Sequence, residues 1–415
     1  MQIKALSEKQ RAIMSFIGSD DMALICDGSV RSGKTTIMSM AFVLWAMQNY
    51  NHTNFAICGK TVQAAERNIL RPLMEIDGLG AALSMSYKVS TRVLTVRCGD
   101  KTNLFYLFGG KDESSYMLIQ GITLAGVLFD EVALMPRSFV EQALSRAISF
   151  ERPKYFFNCN PESPNHWFYQ EWIKKPRKNT KHIHFLLEDN PILTPRMIER
   201  TEAMYSGVFY DRYIRGLWVL AEGLVYPMFG ESCIVDELPA HDSYHAPEYY
   251  ISCDYGTLNP FSAGLWCWDG KTATRMREYY HSGRETQVNK TDEEYFTEIE
   301  KLRGNLTIKR VIVDPSAASF IEVLRRHKYP VQKAKNDVIS GIMTTARFLQ
   351  DGIIKVHRDC KDCIREFELY RWDEKSTEDK PIKENDHAMD ETRYFAYTIL
   401  RSKAYRHDYT PIFGR

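Results

Sequence analysis

The chain has 415 residues, enough for two domains of ordinary size that each bury a core. Its 54 Lys and Arg nearly cancel 53 Asp and Glu, so bulk charge announces no nucleic-acid binder, and any DNA contact must come from local basic patches. The longest apolar stretches, such as Leu124 to Phe129, are too short to cross a bilayer, and Met1-Gln2-Ile3-Lys4 opens no secretory signal. Nine cysteines without framework spacing point to a reduced, cytosolic compartment. One pair, Cys360 and Cys363, has CxxC spacing, but no second pair or spaced histidine accompanies it, so two incidental thiols near a helix start are preferred to a zinc site.

In chain order, the first half alternates strands and helices. Met22 to Cys26 reads as an apolar strand, and Thr35 to Met47 as a helix. Phe55 to Cys58 is a strand followed by a helix through Arg67. Arg92 to Cys98 and Asn103 to Phe108 form a hairpin turning at Gly99-Asp100-Lys101. Leu124 to Phe129 and Tyr155 to Asn158 are buried strands. This alternation predicts a mostly parallel sheet with helices on both faces. Met197 to Leu217 is expected to be helical, a small lid spanning about 175–222 at the end of a first domain, 1–222. A Pro- and Gly-containing linker, 223–246, then precedes a second domain, 247–415. There, Tyr249 to Asp254, Ser262 to Trp268 and Thr272 to Tyr280 read as strands. Helix Glu293 to Leu302, strand Arg310 to Asp314, helix Ala317 to Arg326 and helix His387 to Arg401 follow, a pattern that suits an α/β nuclease core.

Gly28-Ser29-Val30-Arg31-Ser32-Gly33-Lys34-Thr35 satisfies the phosphate-loop pattern, with Thr36 continuing into the helix, and it lies between a strand and a helix as the mechanism requires. Backbone N–H groups and the helix N-terminus favour phosphate, Lys34 reaches the β/γ-phosphates, and Thr35 offers a hydroxyl to Mg2+. Asp130 and Glu131 end a buried strand. Asp130 is expected to hold Mg2+ and Glu131 to deprotonate the attacking water, so the reaction is ATP hydrolysis. Gln10 is a candidate for the adenine edge. Asn160 is a candidate γ-phosphate sensor. Arg31 and Arg146 are candidates to stabilise transition-state charge, each with surface charge as its alternative.

In the second half, Asp254 and Asp314 end apolar strands, and Asp390 lies in the terminal helix. Carboxylates at buried strand tips are costly unless paired or metal-bound, and three of them suit two Mg2+ or Mn2+ ions acting on a phosphodiester. Asp386 sits one helical turn from Asp390, with His387 beside that face. The plainer alternative is that these acids cap helices or pair with Lys and Arg. No G-x-S-x-G elbow is present. Trp167 and Phe168, with Lys174, Lys175 and Arg177, are left open between a DNA contact and a half-buried surface.

The ordered set resembles the large terminase subunit of tailed bacteriophages over nearly the whole chain. It comprises the Gln10 region, Gly28 to Thr35, Asp130-Glu131, Cys159-Asn160-Pro161, Tyr210 to Trp218, Ala221 to Pro227, Asp254-Tyr255-Gly256, Asp314-Pro315 and Asp386 to Asp390. The resemblance implies a P-loop NTPase domain of the RecA/ASCE-like type with a small helical lid, then an RNase H-like nuclease domain. It implies ATP with Mg2+ and two Mg2+ or Mn2+ in the nuclease site. It implies cutting of concatemeric viral double-stranded DNA and its translocation into a procapsid through the portal protein. It also implies a small terminase subunit as partner, a homo-oligomeric ring on the portal, and a location in the infected host's cytoplasm at the portal vertex, outside the mature virion. By position, Asp254, Asp314 and Asp390 match the family's metal ligands, with His387 beside them, and Asn160 matches its coupling motif. The arginine finger is not assigned by resemblance. A helicase–nuclease is the alternative, but it would need a second RecA-like domain. A binding protein with a degenerate nucleotide site is disfavoured by intact Lys34, Thr35, Asp130 and Glu131.

Overall fold

The computed structural model describes residues 5–205, 207–238, 246–256, 259–374, 376 and 379–404. Two compact units divide the chain, Met1–Leu220 and Ala221–Arg415. No helix of the described residues is long and apolar enough to cross a membrane.

The first unit holds strands β1 (Ala23–Gly28), β2 (Asn54–Gly59), β3 (Ser84–Lys88), β4 (Val93–Cys98), β5 (Lys101–Gly109), β6 (Gly126–Asp130), β7 (Lys154–Asn158) and β8 (Thr180–Phe185). They form one sheet in the order β3-β4-β5-β2-β6-β7-β1-β8. From β5 to β8 every pairing is parallel, and β3 and β4 add an antiparallel edge. The apolar runs arise because the central strands are buried on both faces. Leu24 and Cys26 of β1 join a core with Phe42, Trp45, Phe55 and Phe156, whereas Ala23 and Ile25 join Phe129, Phe139 and Phe157 on the opposite side. Burying each such ring contributes about 1.5–3 kcal/mol.

Helices α1 (Glu8–Ser15), α2 (Lys34–Asn49), α3 (Arg137–Ser145), α4 (Pro195–Glu202) and α5 (Gly207–Tyr213) accompany the sheet. The helix expected after β2 runs from Val62 to Met74 through a π-helical turn at Glu66–Leu70. The expected lid differs from the structure. Part of 175–222 is β8, which pairs with β1 in the main sheet, and the helix expected over Met197 to Leu217 is two short ones. β8 escapes a hydropathy reading because it covers the sheet edge, burying only Ile183 and Phe185.

The second unit contains β9 (Ile234–Val235), β10 (Glu248–Asp254), β11 (Phe261–Trp268), β12 (Ala273–His281), β13 (Ile308–Val313), β14 (Val331–Lys333) and β15 (Ile354–His357). Their order is β14-β13-β10-β11-β12-β15-β9. Strands β10, β11 and β12 form an antiparallel meander, and β13 returns parallel to β10. This is the strand arrangement of an RNase H-like domain, and its antiparallel opening separates it from a second RecA-like domain. Helices α6 (Asp292–Arg303), α7 (Ala318–Arg326), α8 (Val338–Gln350), α9 (Lys361–Leu369) and α10 (His387–Phe395) complete the unit, and α10 continues through a π-helical turn to Ala404. The sequence reading did not pick out α8, β14 and β15, and it met α9 only as a helix start near Cys360 and Cys363. In α8, Gly341 and two threonines interrupt an apolar face that Asp337 caps by accepting from the Ser340 N–H.

The expected linker 223–246 is only in part a linker. Tyr226 packs its ring 5.4 Å from Phe367, Phe229 stacks on Phe367 at 4.1 Å, and β9 pairs with β15. Residues 223–238 therefore belong to the second unit's body, because the aromatics on either side of Pro227 find apolar partners; 239–245 lie outside the described residues. Inside the unit, α10 is anchored by Glu391, which is fully buried and accepts from Arg275 at 2.7 and 3.1 Å and from Trp266 Nε1 at 2.8 Å. Breaking a buried pair of this kind costs about 3–5 kcal/mol, so α10 is fixed beside β10 and the residues preceding Glu391 face the strand tips.

Candidate functional site

In the first unit, the carboxyl ends of parallel strands gather the phosphate loop and its acidic partner. β1 runs into Gly28, and α2 opens at Lys34 with Thr35 and Thr36 in its first turn. Gly28 and Gly33 have φ of 118° and 83°, and at Gly28 a Cβ would lie 2.0 Å from the Phe185 carbonyl oxygen, so glycine is required there by conformation and space together. Register places Asp130 and Cys26 both opposite Asn158. The Thr35 hydroxyl stands 3.3 Å from Asp130 Oδ1, and the Asn158 amide donates to both, at 2.8 and 2.5 Å. Asn158 Oδ1 is buried without a protein partner, an acceptor left open beside Thr35 and Asp130.

Lys34 folds onto the loop, donating to the Ser29 carbonyl at 2.6 Å, to Ser32 Oγ at 3.1 Å and to Asn160 Oδ1 at 3.3 Å. Burial lowers its ammonium to about 8 despite nearby acids. Glu131 adopts the left-handed conformation, φ 57°, which a non-glycine residue holds at a cost of order 1–3 kcal/mol. Burial, reinforced by Asp130, pushes its carboxyl up. Gln10 reaches the loop too: its amide nitrogen lies 2.6 Å from where a Cβ on Gly33 would fall, and its oxygen closes a capping box with Ser7. The donor set and open acceptor fit an Mg2+-bound nucleotide.

In the second unit, Asp254 ends β10 and Asp314 directly follows β13, whose Val313 is in register with Cys253. From α10 and its N-cap come Asp386, His387 and Asp390. Together with Lys383, Arg393, Tyr394 and Asn336 they line one cavity of about 510 Å³. His387 Nδ1 lies 2.9 Å from Asp254, Tyr394 donates to Asp314 at 2.6 Å, and Arg393 donates to Asp390 at 2.9 Å. Lys383 stands 3.1 Å from Asp386 and 3.3 Å from Asp390. Among the described residues no three His, Cys, Asp or Glu side chains form a ready metal cage. The set fits hard divalent cations by its oxygen donors and negative charge, with Lys383 and Arg393 now answering that charge. Burial raises Asp254 to about 6 although His387 opposes the shift, and Asp390 and Asp314 add to it, which puts the three carboxylates within electrostatic reach of one another. For Asp314, burial is outweighed by donation from Ser316 and Tyr394, and its carboxyl is lowered.

A family model described as terminase large subunit, T4likevirus-type, N-terminal, matches residues 25–232. The large terminase of a thermophilic bacteriophage is 45% identical, covering 96% of this chain and 100% of that one with a TM-score of 0.88. The same protein in complex with ADP and with ATP-gamma-S matches at 44% identity over 95% of this chain and 100% of that one, with TM-scores of 0.86 and 0.85. Among curated proteins none matches. This chain belongs to the large terminase family.

The large terminase brings together nearly all the residues its sequence singles out, with one exception. Arg146 does not join the phosphate loop of its own chain. Its carbonyl accepts from the Leu124 N–H just before β6, whereas Asp130 is at the far end of that strand, on the order of 20 Å away. Arg31 stays in the loop, exposed, its carbonyl accepting from Asn190 at 2.7 Å. Sequence reasoning missed Asn158, Asn190, Asn68, which donates to Asp130 at 3.3 Å, and the Lys383, Arg393 and Tyr394 set. Asn158 was visible as the last residue of an apolar strand, the same signal that flagged Asp130. Cys360 and Cys363 are free and buried in the second unit, and Trp167 and Phe168 pack with Trp218, Tyr169 and Trp172 around β7.

The raised Asp254 carboxyl sets a stability dependence. Its folded-state value of about 6 lies above the ordinary aspartate value of 3.8, so the folded state binds the proton more tightly. This contribution is full below about pH 4 and is lost as pH rises through about 6. In metal-free protein, Asp254→Asn is therefore expected to melt above wild type at pH 7.5, with the gap narrowing as pH falls through about 6 and closing by about pH 4. Equal melting curves at pH 7.5 would mean that the His387 bond already offsets the burial.

Proposed function

We propose that this large terminase hydrolyses ATP to drive double-stranded viral DNA into a procapsid and cuts concatemeric DNA with a two-metal endonuclease site. One observation carries the reading: each unit sets acidic residues at the carboxyl ends of strands, Asp130 and Glu131 beside a phosphate loop in the first and Asp254 and Asp314 in an open polar cavity in the second. The nucleotide complexes of the thermophilic-phage relative support ATP as the ligand of the first.

In the first unit, Arg31 to Lys34 present N–H groups to phosphate, Lys34 swings from the loop carbonyls to the β/γ-phosphates, and Gln10 flanks the base. Glu131, with its proton affinity raised, takes a proton from water aimed at the γ-phosphate. Asn160, bonded to Lys34, senses that phosphate. Arg31 remains the candidate arginine within the chain, and Arg146 reaches a nucleotide only as a group offered to a neighbouring subunit. Thr35 and Asp130 would hold Mg2+, and Asp254, Asp314 and Asp390 two Mg2+ or Mn2+; bound there, such ions neutralise phosphate charge and acidify water. His387 orients Asp254, and Asp386 lines the same cavity beside Lys383. Cutting reads backbone rather than bases, so little sequence preference is expected. Family membership supports the remaining partners: the portal, a small terminase subunit and sister copies in a ring, at the procapsid in the cytoplasm of an infected host.

Purified protein is expected to turn over ATP faster when linear duplex DNA is added, and to nick plasmid in Mn2+ or Mg2+ but not in chelator. Turnover indifferent to DNA, or cutting that persists in chelator, would overturn the corresponding half.

A further inference from the structure

β1 delivers Asp27 immediately before Gly28, and this buried carboxylate carries three donors. His182 Nε2 and His184 Nδ1 stand 2.8 and 2.9 Å from Oδ1, and Trp218 Nε1 donates to Oδ2 at 2.8 Å. The two histidines share a face of β8, whose register pairs Ile25 with His182 and Asp27 with His184. Burial works against the charge on Asp27, but the His182, His184 and Trp218 bonds outweigh it and hold the carboxyl well below the usual range.

Trp218 arrives from the stretch after α5, and that stretch meets the phosphate loop repeatedly. The Val30 N–H donates to the Tyr213 carbonyl at 2.9 Å, and the Ser29 hydroxyl donates to the Ile214 carbonyl. Gly216, with φ 69°, passes so near that a Cβ would lie 2.8 Å from the His184 ring and 3.2 Å from Gly28 Cα. A second line runs through the loop after Asn160. Arg212, buried, donates to the Val219 carbonyl at 2.5 and 3.0 Å and reaches Glu162 at 3.4 Å. Residues 212–219, near the end of the first unit, are thus bonded both to the phosphate loop and, through Arg212, to the loop that follows Asn160.

We infer that Trp218 is a positioning residue for ATP hydrolysis, acting through Asp27 to fix Gly28 to Val30, and that residues 213–219 respond to nucleotide in the loop. An indole donor at Oδ2 complements the histidine donors at Oδ1, so the carboxylate cannot rotate and the strand end that leads into Gly28 stays in place. Trp218 stands outside the phosphate-loop and acidic motifs. The inference rests on the ATPase reading.

Trp218→Phe keeps ring bulk and removes the N–H. In the full chain it is expected to raise the KM for ATP at least threefold, to change kcat by less than KM, and to leave the nucleotide-free melting midpoint within a few degrees. A smaller change in KM overturns the role, as does a loss that merely tracks unfolded protein. The second measurement needs only wild type: amide hydrogen exchange with and without ADP and Mg2+. Protection of 28–35 should be accompanied by protection of 213–219, and protection of 28–35 alone overturns the inference. Wild-type turnover in the same series separates the two readings. An inactive wild type would remove the ATPase assignment itself, whereas an active wild type with an equally active Trp218→Phe would remove only this one.

Discussion

Asp254→Ala is expected to abolish Mn2+-dependent nicking of plasmid, a loss on the order of 10³-fold or more, while ATP turnover persists. The size follows from position. Asp254 ends β10, an interior strand of the second sheet, and lies in one cavity with Asp314 and Asp390. Removing it deletes a carboxylate from the middle of the set and frees His387, which now bonds to it. A metal acting on a phosphodiester supplies several kcal/mol, and each 1.36 kcal/mol is tenfold in rate. ATP turnover should survive because the phosphate loop belongs to the other unit. A supercoiled-plasmid assay run beside a phosphate-release assay reads both at once, and undiminished cutting would show that other carboxylates carry the chemistry.

Glu131→Gln is expected to lower DNA-stimulated ATP turnover by about 10²- to 10⁴-fold, the contribution of a positioned general base. Glutamine preserves size and polarity but cannot take up the proton. Asp130 is engaged with Thr35, Asn158 and Asn68, so it is badly placed to substitute. Nucleotide binding should change little, since Lys34 and the loop amides are untouched; a fluorescent ADP analogue titrated into both proteins checks this. Turnover equal to wild type would move the base elsewhere, whereas lost binding would show that the strained backbone at 131 is needed for the loop's shape.

What was legible in the sequence follows from how locally each feature is encoded. Gly28 to Thr35 is contiguous, and its strand and helix neighbours are themselves apolar runs, so one window contains both motif and context. Asp130, Asp254 and Asp314 could be picked out because a charge ending a run of buried aliphatics needs a reason. β8 gave no such signal, since its partners cover one side only and its histidines look solvated. The segment around Tyr226 looked like a linker because its prolines and glycine are visible in sequence, whereas Phe367 and Tyr370, which receive it, lie well over a hundred residues away.

The order of elements, the phosphate loop and the acids at strand tips were determined by the chain alone, because each depends on neighbours a few residues apart. Only the folded molecule decided which groups stand opposite those acids. Lys383 lies across Asp386 and Asp390, Asn158 bridges Thr35 and Asp130, and Trp218 closes on Asp27 from 191 residues away. Sequence spacing carries no record of such meetings. They are set by strand register and helix packing, which depend on the whole sheet.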